Sequence, residues 1–220
     1  MMSLSEREKV ERILWTIKFL GLSFEQKFSR TGKEHLGAVL ADAILQSGIN
    51  YRGVVEPRVK RIALEYPKAT KLRVIIEIIY QKEISQFLLW KGETKIRRFC
   101  DLVGFLYSHK LDSIEDVRRW VKCERNSESL LEIPGVGRKT VDYLRAKLGI
   151  PSIPIDRHLL RFACYCEVGF SDYKEASYVF SNVSQKLNVD LDTFDLSLWN
   201  FMVEIAGPAN NRRAISFAIS

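Results

Sequence analysis

Apolar residues recur at helical spacing along almost the whole chain, and this periodicity constrains the fold more than any other feature of the sequence. Near the N terminus, Val10, Ile13, Leu14 and Ile17 stand three or four residues apart, as one apolar face of an α-helix requires. No internal repeat or low-complexity linker interrupts the pattern. The sequence therefore predicts an all-α fold.

Turn-forming residues divide this pattern into separate helices. Gly21 and Gly48 end the first two, since glycine is favoured just after a helix C terminus. Residues 72–80 are apolar and β-branched, which also suits a strand, but their helical flanks favour a buried helix. Ser113, with Asp116 three residues later, indicates an N-cap. After the first, the predicted helices cover about 34–47, 52–65, 72–80, 94–107, 113–124, 156–168, 172–187 and 191–205, the last capped by Asp190 or Asp192.

The composition of the chain restricts its class and its partners. A length of 220 residues allows one large domain or two small lobes. The net charge of +7 favours an anionic partner such as nucleic acid, although a basic surface also serves solubility alone. No leader peptide and no membrane-spanning apolar run is recognisable. We therefore expect a soluble protein that is cytoplasmic and nucleoid-associated, or nuclear if eukaryotic, with no membrane partner.

The four cysteines predict neither a disulfide framework nor a metal site. They are Cys100, Cys123, Cys164 and Cys166, and they contain no C-x-x-C pair. Residues two apart on a helix point to different faces, so Cys164 and Cys166 are poor common ligands. We expect reduced thiols in a reducing compartment.

Residues 130–162 carry the clearest functional signal. An apolar segment leads into the turn 135–137 (Gly-Val-Gly), and a helix follows from Arg138. Glycine allows a tight turn and close approach by another molecule, and the free amides at a helix N terminus bind anions such as phosphate. Lys139 stands at this helix start, and Asp156 follows after a loop. The stretch thus combines a nucleophilic amine, a carboxylate and a phosphate-binding turn.

This stretch resembles the helix-hairpin-helix DNA glycosylases, the superfamily of endonuclease III and 8-oxoguanine glycosylase. Their hairpin reads L-P-G-V-G-R-K-T and is followed by a V-D-T-H-type segment; the matching residues are Ile133–Thr140 and Ile155–His158. Upstream, Ala43–Gly48 resembles the family's glutamine segment, and Val54–Pro67 resembles the amphipathic helix after it. The resemblance covers roughly residues 35–207.

The resemblance implies a two-lobed helical fold with a DNA groove and a base pocket between the lobes. One lobe would span residues 30–145 and end in the hairpin motif, and 1–29 with 146–220 would form the other. Many endonuclease III relatives hold an iron–sulfur cluster with four cysteines after the last helix. Residues 206–220 contain no cysteine, so we predict no cluster, no other cofactor and no metal.

The resemblance also implies a base-excision-repair enzyme, a DNA glycosylase with abasic-site lyase activity. Lys139 would attack C1′ of a flipped nucleotide, and Asp156 would stabilise the positive charge that develops on the sugar. The spacing of the residues alone favours Lys139 as an exposed helix lysine that contacts phosphate, and Asp156 could be a helix N-cap. His158 is expected to support the Asp156 loop.

The remaining site predictions concern DNA contact. The candidates are Gly135, Val136, Gly137, Arg138 and Thr140 of the hairpin, with Arg145 and Lys147 as phosphate contacts or solvated charges. Gln46 is either a wedge that fills the space of the flipped base or a helix-end residue without a role, and Leu89 is a second wedge candidate. Trp15, Trp90, Trp120 and Trp199 are expected to be mostly core aromatics, one of which could stack on the base.

The expected partner is duplex DNA that carries a damaged base, bound by a monomer. An oxidised base is favoured, 8-oxoguanine ahead of oxidised pyrimidines, because the segments Ile155–Leu160 and Phe194–Trp199 and the missing cluster resemble archaeal-type 8-oxoguanine glycosylases. Two alternatives stay open. One is a monofunctional thymine or uracil mismatch glycosylase, and the other is a non-catalytic helix-hairpin-helix DNA-binding module.

Overall fold

A computed structural model describes residues 4–24 and 34–205 of the chain. Within these ranges the chain is helical and contains no β-strand, which confirms the predicted all-α class. A π-helical turn, Tyr51–Val55, precedes α3, and a 3₁₀ turn, Leu130–Glu132, follows α8. The helices are α1 (Glu6–Phe19), α2 (Leu36–Leu45), α3 (Glu56–Glu65), α4 (Leu72–Tyr80), α5 (Ile84–Leu88), α6 (Glu93–Ser108), α7 (Ile114–Val121), α8 (Glu124–Ser129), α9 (Arg138–Lys147), α10 (Arg157–Tyr165), α11 (Tyr173–Lys186) and α12 (Leu191–Ile205).

These helices form two compact units. The described residues of the terminal unit are 4–24 and 151–205, and those of the central unit are 34–150. The predicted change of lobe after residue 145 falls within α9. That helix continues to Lys147, and Leu148 and Ile150 belong to the core of the central unit. The cysteine-free segment 206–220 lies outside the described residues.

The central unit is built around α2, in which every residue is buried. Helices α3, α4, α6 and α9 all pack against it. Small residues allow this close packing: a Cβ on Gly37 would lie 3.0 Å from the Phe87 ring and 3.1 Å from the Ala69 carbonyl oxygen. A helix surrounded in this way must satisfy any charge that it carries, and α2 carries Asp42.

The terminal unit has its own apolar core, formed by α1, α10, α11 and α12. Helix α1 packs on α11, and α10 packs on α12. Ser5 caps α1 in a reciprocal arrangement with Glu8, and Asp190 is the residue that caps α12 through the Thr193 amide, at 2.9 Å. Fully buried aromatic rings at the centre of this core are Phe162, Phe180 and Phe194.

A salt bridge between Lys9 and Glu175 joins α1 to α11 where both side chains are largely buried, at 6% and 14% exposure. The hydrogen bond from Lys9 and a backbone one from Ser171 lower the pKa of Glu175 from 4.5 to about 2. A lowered carboxyl pKa contributes stability above the unfolded value, and this is lost as the pH falls towards 2.

Glu175→Gln is therefore expected to destabilise the terminal unit by about 3 kcal/mol, because it leaves the Lys9 ammonium buried without its counter-charge. Urea unfolding followed by circular dichroism measures the loss. The variant should also lose less stability than the wild type between pH 4.5 and 2. Glu11→Gln is the matched control, since Glu11 pairs with Lys186 across the same two helices at 56% and 49% exposure and should contribute little. Equal effects of the two changes would contradict the prediction.

Three elements differ from the sequence prediction. Helix α4 is buried on one face only, through Leu72, Ile75 and Ile78, whereas Tyr80 is exposed. Helices α5 and α8 were not predicted. Helix α5 is short, and α8 has the polar sequence ERNSES, which contains no apolar periodicity to detect. No helix within the described ranges is long and apolar enough to cross a membrane.

Candidate functional site

The predicted glycine turn precedes α9 and is tightly built. Gly135 has φ +80°, in the region that glycine adopts readily. A Cβ at this position would also lie 2.1 Å from a guanidinium nitrogen of Arg98. The Val136 amide donates to the Ile133 carbonyl at 3.0 Å, and its side chain is buried in the core. Gly135 is thus favoured by its backbone conformation, since the Arg98 guanidinium is the end of a flexible side chain that can move aside, while Val136 anchors the turn.

The first turn of α9 has no side-chain cap. Its N-cap residue is Gly137, which has an extended backbone and no side chain that could accept from the helix amides. The Gly137 carbonyl accepts from Thr140 at 2.8 Å and from Val141 at 3.1 Å. Arg138 is exposed and lies 3.3 Å from Glu128 in a surface ion pair. An uncapped helix start with an adjacent cation favours an anion such as phosphate.

Lys139 is half-buried on this first turn and makes a specific contact. Its Nζ donates to Oε1 of Gln46 at 2.9 Å. Gln46 follows α2 as its C-cap residue and is only 8% exposed. The neutral amide oxygen orients the lysine amine without supplying a negative charge. Two residues that the sequence singled out for separate roles are therefore in direct contact.

The arrangement of Gln46 bears on its predicted role as a wedge. A wedge must leave the protein surface and enter the DNA helix, whereas this side chain is buried and accepts from Lys139. Insertion into DNA would have to break that hydrogen bond. In the described arrangement Gln46 holds the lysine, and its wedge role stays a prediction.

A second lysine lies at the same end of α2. Lys95, in the first turn of α6, donates from Nζ to the carbonyl oxygens of Ile44 at 3.2 Å, Leu45 at 2.8 Å and Ser47 at 2.8 Å. Burial, with the charges of Arg98 and Lys139 acting in the same direction, lowers the pKa of Lys95 to about 8. Lys95 was not among the predicted site residues, because nothing in its local sequence distinguishes it from an ordinary helix lysine.

Asp42 is the centre of a buried polar network between α2 and α9. Its carboxylate is 2.6 Å from Lys147 Nζ and accepts from the Tyr143 hydroxyl at 2.9 Å and from the Tyr51 hydroxyl at 3.2 Å. Lys147 also lies over both tyrosine rings, at 5.4 and 5.1 Å from their centres. Burial and the Asp42 charge raise the pKa values of both tyrosines. The π-helical turn supplies Tyr51 to this network.

The structure corrects the interpretation of Lys147 as a phosphate contact or a solvated charge. Its side chain is 14% exposed and its ammonium is paired with Asp42. Burial is the largest single influence on the pKa of Lys147 and lowers it, but the charges and hydrogen bonds of Asp42 and Tyr51 together outweigh burial, so the pKa is raised. Arg145 is also engaged, since it donates to the Ser127 hydroxyl at 2.9 Å. The C-terminal half of α9 thus holds the helix in the core.

Asp156 belongs to the terminal unit, whereas Lys139 belongs to the central unit. Asp156 is the N-cap of α10: its Oδ1 accepts from the amides of His158 at 2.7 Å and Leu159 at 3.1 Å. The N-cap alternative is therefore confirmed. Both capping bonds go to Oδ1, so the cap fixes the carboxylate and leaves Oδ2 outside it. The preceding amide, of Ile155, donates to the Tyr173 hydroxyl at 3.1 Å and stabilises the approach to the cap.

The other aromatic and wedge candidates have diverse surroundings. Trp15 is 64% exposed and stacks on Phe19, which corrects its expected place in the core. Trp199 makes an edge contact with the ring of His158. Leu89 is exposed and has φ +46°, and its carbonyl accepts from Arg58 at 3.0 Å. The remaining two tryptophans are half-buried: Trp90 beside Arg58 and Lys95, and Trp120 against Phe105 and His109.

The cysteines do not converge. Cys164 is exposed and Cys166 is buried, as expected for residues on different faces of a helix end. Among the described residues, no three histidine, cysteine or acidic side chains come together as metal ligands would. A comparison of the sequence with models of protein families finds no match, and a comparison with curated proteins finds none either.

Proposed function

We propose that this protein is a DNA glycosylase with abasic-site lyase activity that removes an oxidised base from duplex DNA. The observation that carries the proposal is Lys139, an amine on the first turn of a helix that follows a glycine turn and has no side-chain cap. Its sequence context resembles the hairpin of helix-hairpin-helix glycosylases. The contact with Gln46 supports the role, because it holds the amine with a neutral acceptor.

Three features support binding to DNA at this hairpin. The start of α9 provides amides without a side-chain acceptor, and Arg138 and Lys139 add positive charge. The Gly137 position is open, since a Cβ built there has no atom within 4 Å. The net charge of +7 favours association with a polyanion. Phosphate contacts of this kind would position the protein without selecting a sequence.

The proposed reaction begins with the neutral Lys139 amine. Its lone pair attacks C1′ and forms a carbon–nitrogen bond, while the N-glycosidic bond breaks and the base leaves with a proton. The sugar ring opens to an imine that links the lysine to C1′. Loss of a C2′ proton then expels the 3′ phosphate by β-elimination and nicks the strand. The Asp156 carboxylate would stabilise the positive charge on the sugar and accept a proton from the amine.

A cleavage screen tests this proposal. The duplexes carry 8-oxoguanine, thymine glycol, uracil or a G·T mismatch, and each is incubated with and without borohydride. We expect a nicked strand and a covalent protein–DNA adduct with an oxidised base, 8-oxoguanine ahead of thymine glycol. Base release from uracil or the mismatch without an adduct would identify the monofunctional alternative. Binding with no base release from any duplex would identify the non-catalytic module.

Asp156→Asn is expected to slow base release by roughly a hundred-fold, because removing an electrostatic contribution to a charged transition state typically costs about 3 kcal/mol. The structure indicates that this substitution removes the negative charge while it keeps the N-cap of α10. Asparagine is as good an N-cap as aspartate, so α10 and DNA binding should be preserved. Single-turnover base release and a duplex-binding assay measure the two effects.

Asp172→Asn is the matched control for that experiment. Asp172 caps α11 in the same unit through the Glu175 amide, at 2.9 Å, and no reaction role is assigned to it. We expect the control to release base at the wild-type rate. Wild-type base release by a folded Asp156→Asn protein would show that Asp156 is only a helix cap.

A further inference from the structure

The end of α2 holds two lysines that the fold brings together from distant parts of the chain. Lys95 comes from α6 and donates to three carbonyl oxygens of residues 44–47, while Lys139 comes from α9 and donates to the side chain of Gln46. The partners of Lys95 are the backbone oxygens at a helix C terminus, where the helix dipole favours a cation. These contacts bring both lysines to residues 44–47, where the charge of Lys139 acts on Lys95.

We propose that Lys95 is a positioning residue for Lys139: its ammonium, fixed on the C-terminal carbonyls of α2, disfavours a second positive charge and keeps Lys139 ready to lose its proton. The coupling of the two amines is a property of the free protein. Its consequence for catalysis rests on the proposed function, since only a reaction at Lys139 needs that amine to be neutral.

The charges around the pair favour this reading over a simple helix cap. Arg98, also on α6, is a third cation, and it interacts with Lys95. The carboxylate of α2, Asp42, is paired with Lys147, and Glu128 on α8 is paired with Arg138. A helix cap needs only one cation, whereas Lys95 is accompanied by two more, since the charges of Arg98 and Lys139 both act on it.

The lowered pKa of Lys95, about 8, agrees with this geometry, because the charge of Lys139 is one of its causes. An interaction between two titrating groups acts equally on both. The charge on Lys95 must therefore oppose protonation of Lys139 as much as the reverse. Asp142 stands three residues after Lys139 on α9. Asp142 is unchanged in every variant of the experiment, so a comparison of the variants isolates the effect of Lys95 on the titration of Lys139.

Site-resolved reductive methylation tests the coupling without DNA. A neutral amine adds to formaldehyde, water leaves, and borohydride reduces the imine, so the extent of methylation against pH follows the neutral fraction of each lysine. We expect the midpoint for Lys139 to rise by about one pH unit in Lys95→Gln, as is typical when a nearby like charge is removed. Lys95→Arg carries a positive charge that does not titrate, so the Lys139 midpoint should lie at or below the wild-type value. Lys91→Gln, an exposed lysine of the same unit, is the control.

An unchanged Lys139 midpoint in folded Lys95→Gln protein would overturn the inference. If that variant does not fold, the reciprocal experiment decides: in Lys139→Gln the midpoint of Lys95 should rise, and a midpoint at the wild-type value would overturn the inference equally. A purely structural cap would lower stability without moving either midpoint.

Borohydride trapping on abasic duplex, measured against pH, separates this inference from the proposed function. The pH below which trapping is lost should rise by about one unit in Lys95→Gln. Trapping by the wild type with no shift in the variant would overturn the role of Lys95 and leave the lyase function standing. If the methylation midpoints are coupled but the wild type is not trapped, the coupling of Lys95 and Lys139 would be supported and the proposed lyase function would be overturned.

Discussion

Lys139→Gln is expected to reduce borohydride trapping on an abasic duplex by roughly a thousand-fold or more, to background. Loss of a reacting nucleophile costs far more than loss of a supporting contact. An imine can form only with an amine, and glutamine offers none. The uncharged side chain also removes a positive charge beside Lys95, so the local fold should be kept. A gel assay of the covalent adduct measures the effect.

Lys122→Gln is the matched control for this experiment, because Lys122 is an exposed lysine of the same unit. The control should be trapped as efficiently as the wild type. Circular dichroism would show that both variants retain their helices. Efficient trapping of Lys139→Gln would place the imine on another lysine and remove the main support for the proposed mechanism.

Asp42→Asn is expected to destabilise the central unit by about 3–5 kcal/mol, because it leaves the Lys147 ammonium buried without a counter-charge. Asp42 is only 3% exposed. Its carboxylate also accepts from both Tyr51 and Tyr143, so the whole network between α2 and α9 depends on it. Denaturant unfolding followed by circular dichroism measures the loss.

Two further variants isolate the cause. Adding Lys147→Met to Asp42→Asn should recover part of the lost stability, because the double change removes the uncompensated buried charge. Glu56→Gln, which breaks a more exposed pair with Lys60 in the same unit, should change stability by less than about 1 kcal/mol. An Asp42→Asn protein that unfolds at the wild-type denaturant concentration would contradict the prediction.

Helix positions could largely be predicted because their signals are local. The capping pair Ser113 and Asp116, the Gly48 break and the Asp190 cap all act within a few residues of the helix end that they define. The same holds for the Gly135 turn, whose backbone conformation only glycine adopts easily. Helix α8 was not predicted, because its sequence has no apolar face that would indicate a helix.

Turns, caps and apolar periodicity depend on neighbouring residues, so the all-α class and the positions of Lys139 and Asp156 at helix starts could be predicted without a structure. Which side chains meet depends on how the helices pack. Gln46 and Lys139 are far apart in the chain, as are Lys95 and the end of α2, and Asp42 and Lys147. In the sequence Lys147 resembles a surface charge, but in the structure it is largely buried and forms an ion pair with Asp42. Charges that read alike in sequence thus acquire different roles, because desolvation and partner geometry arise only when helices pack.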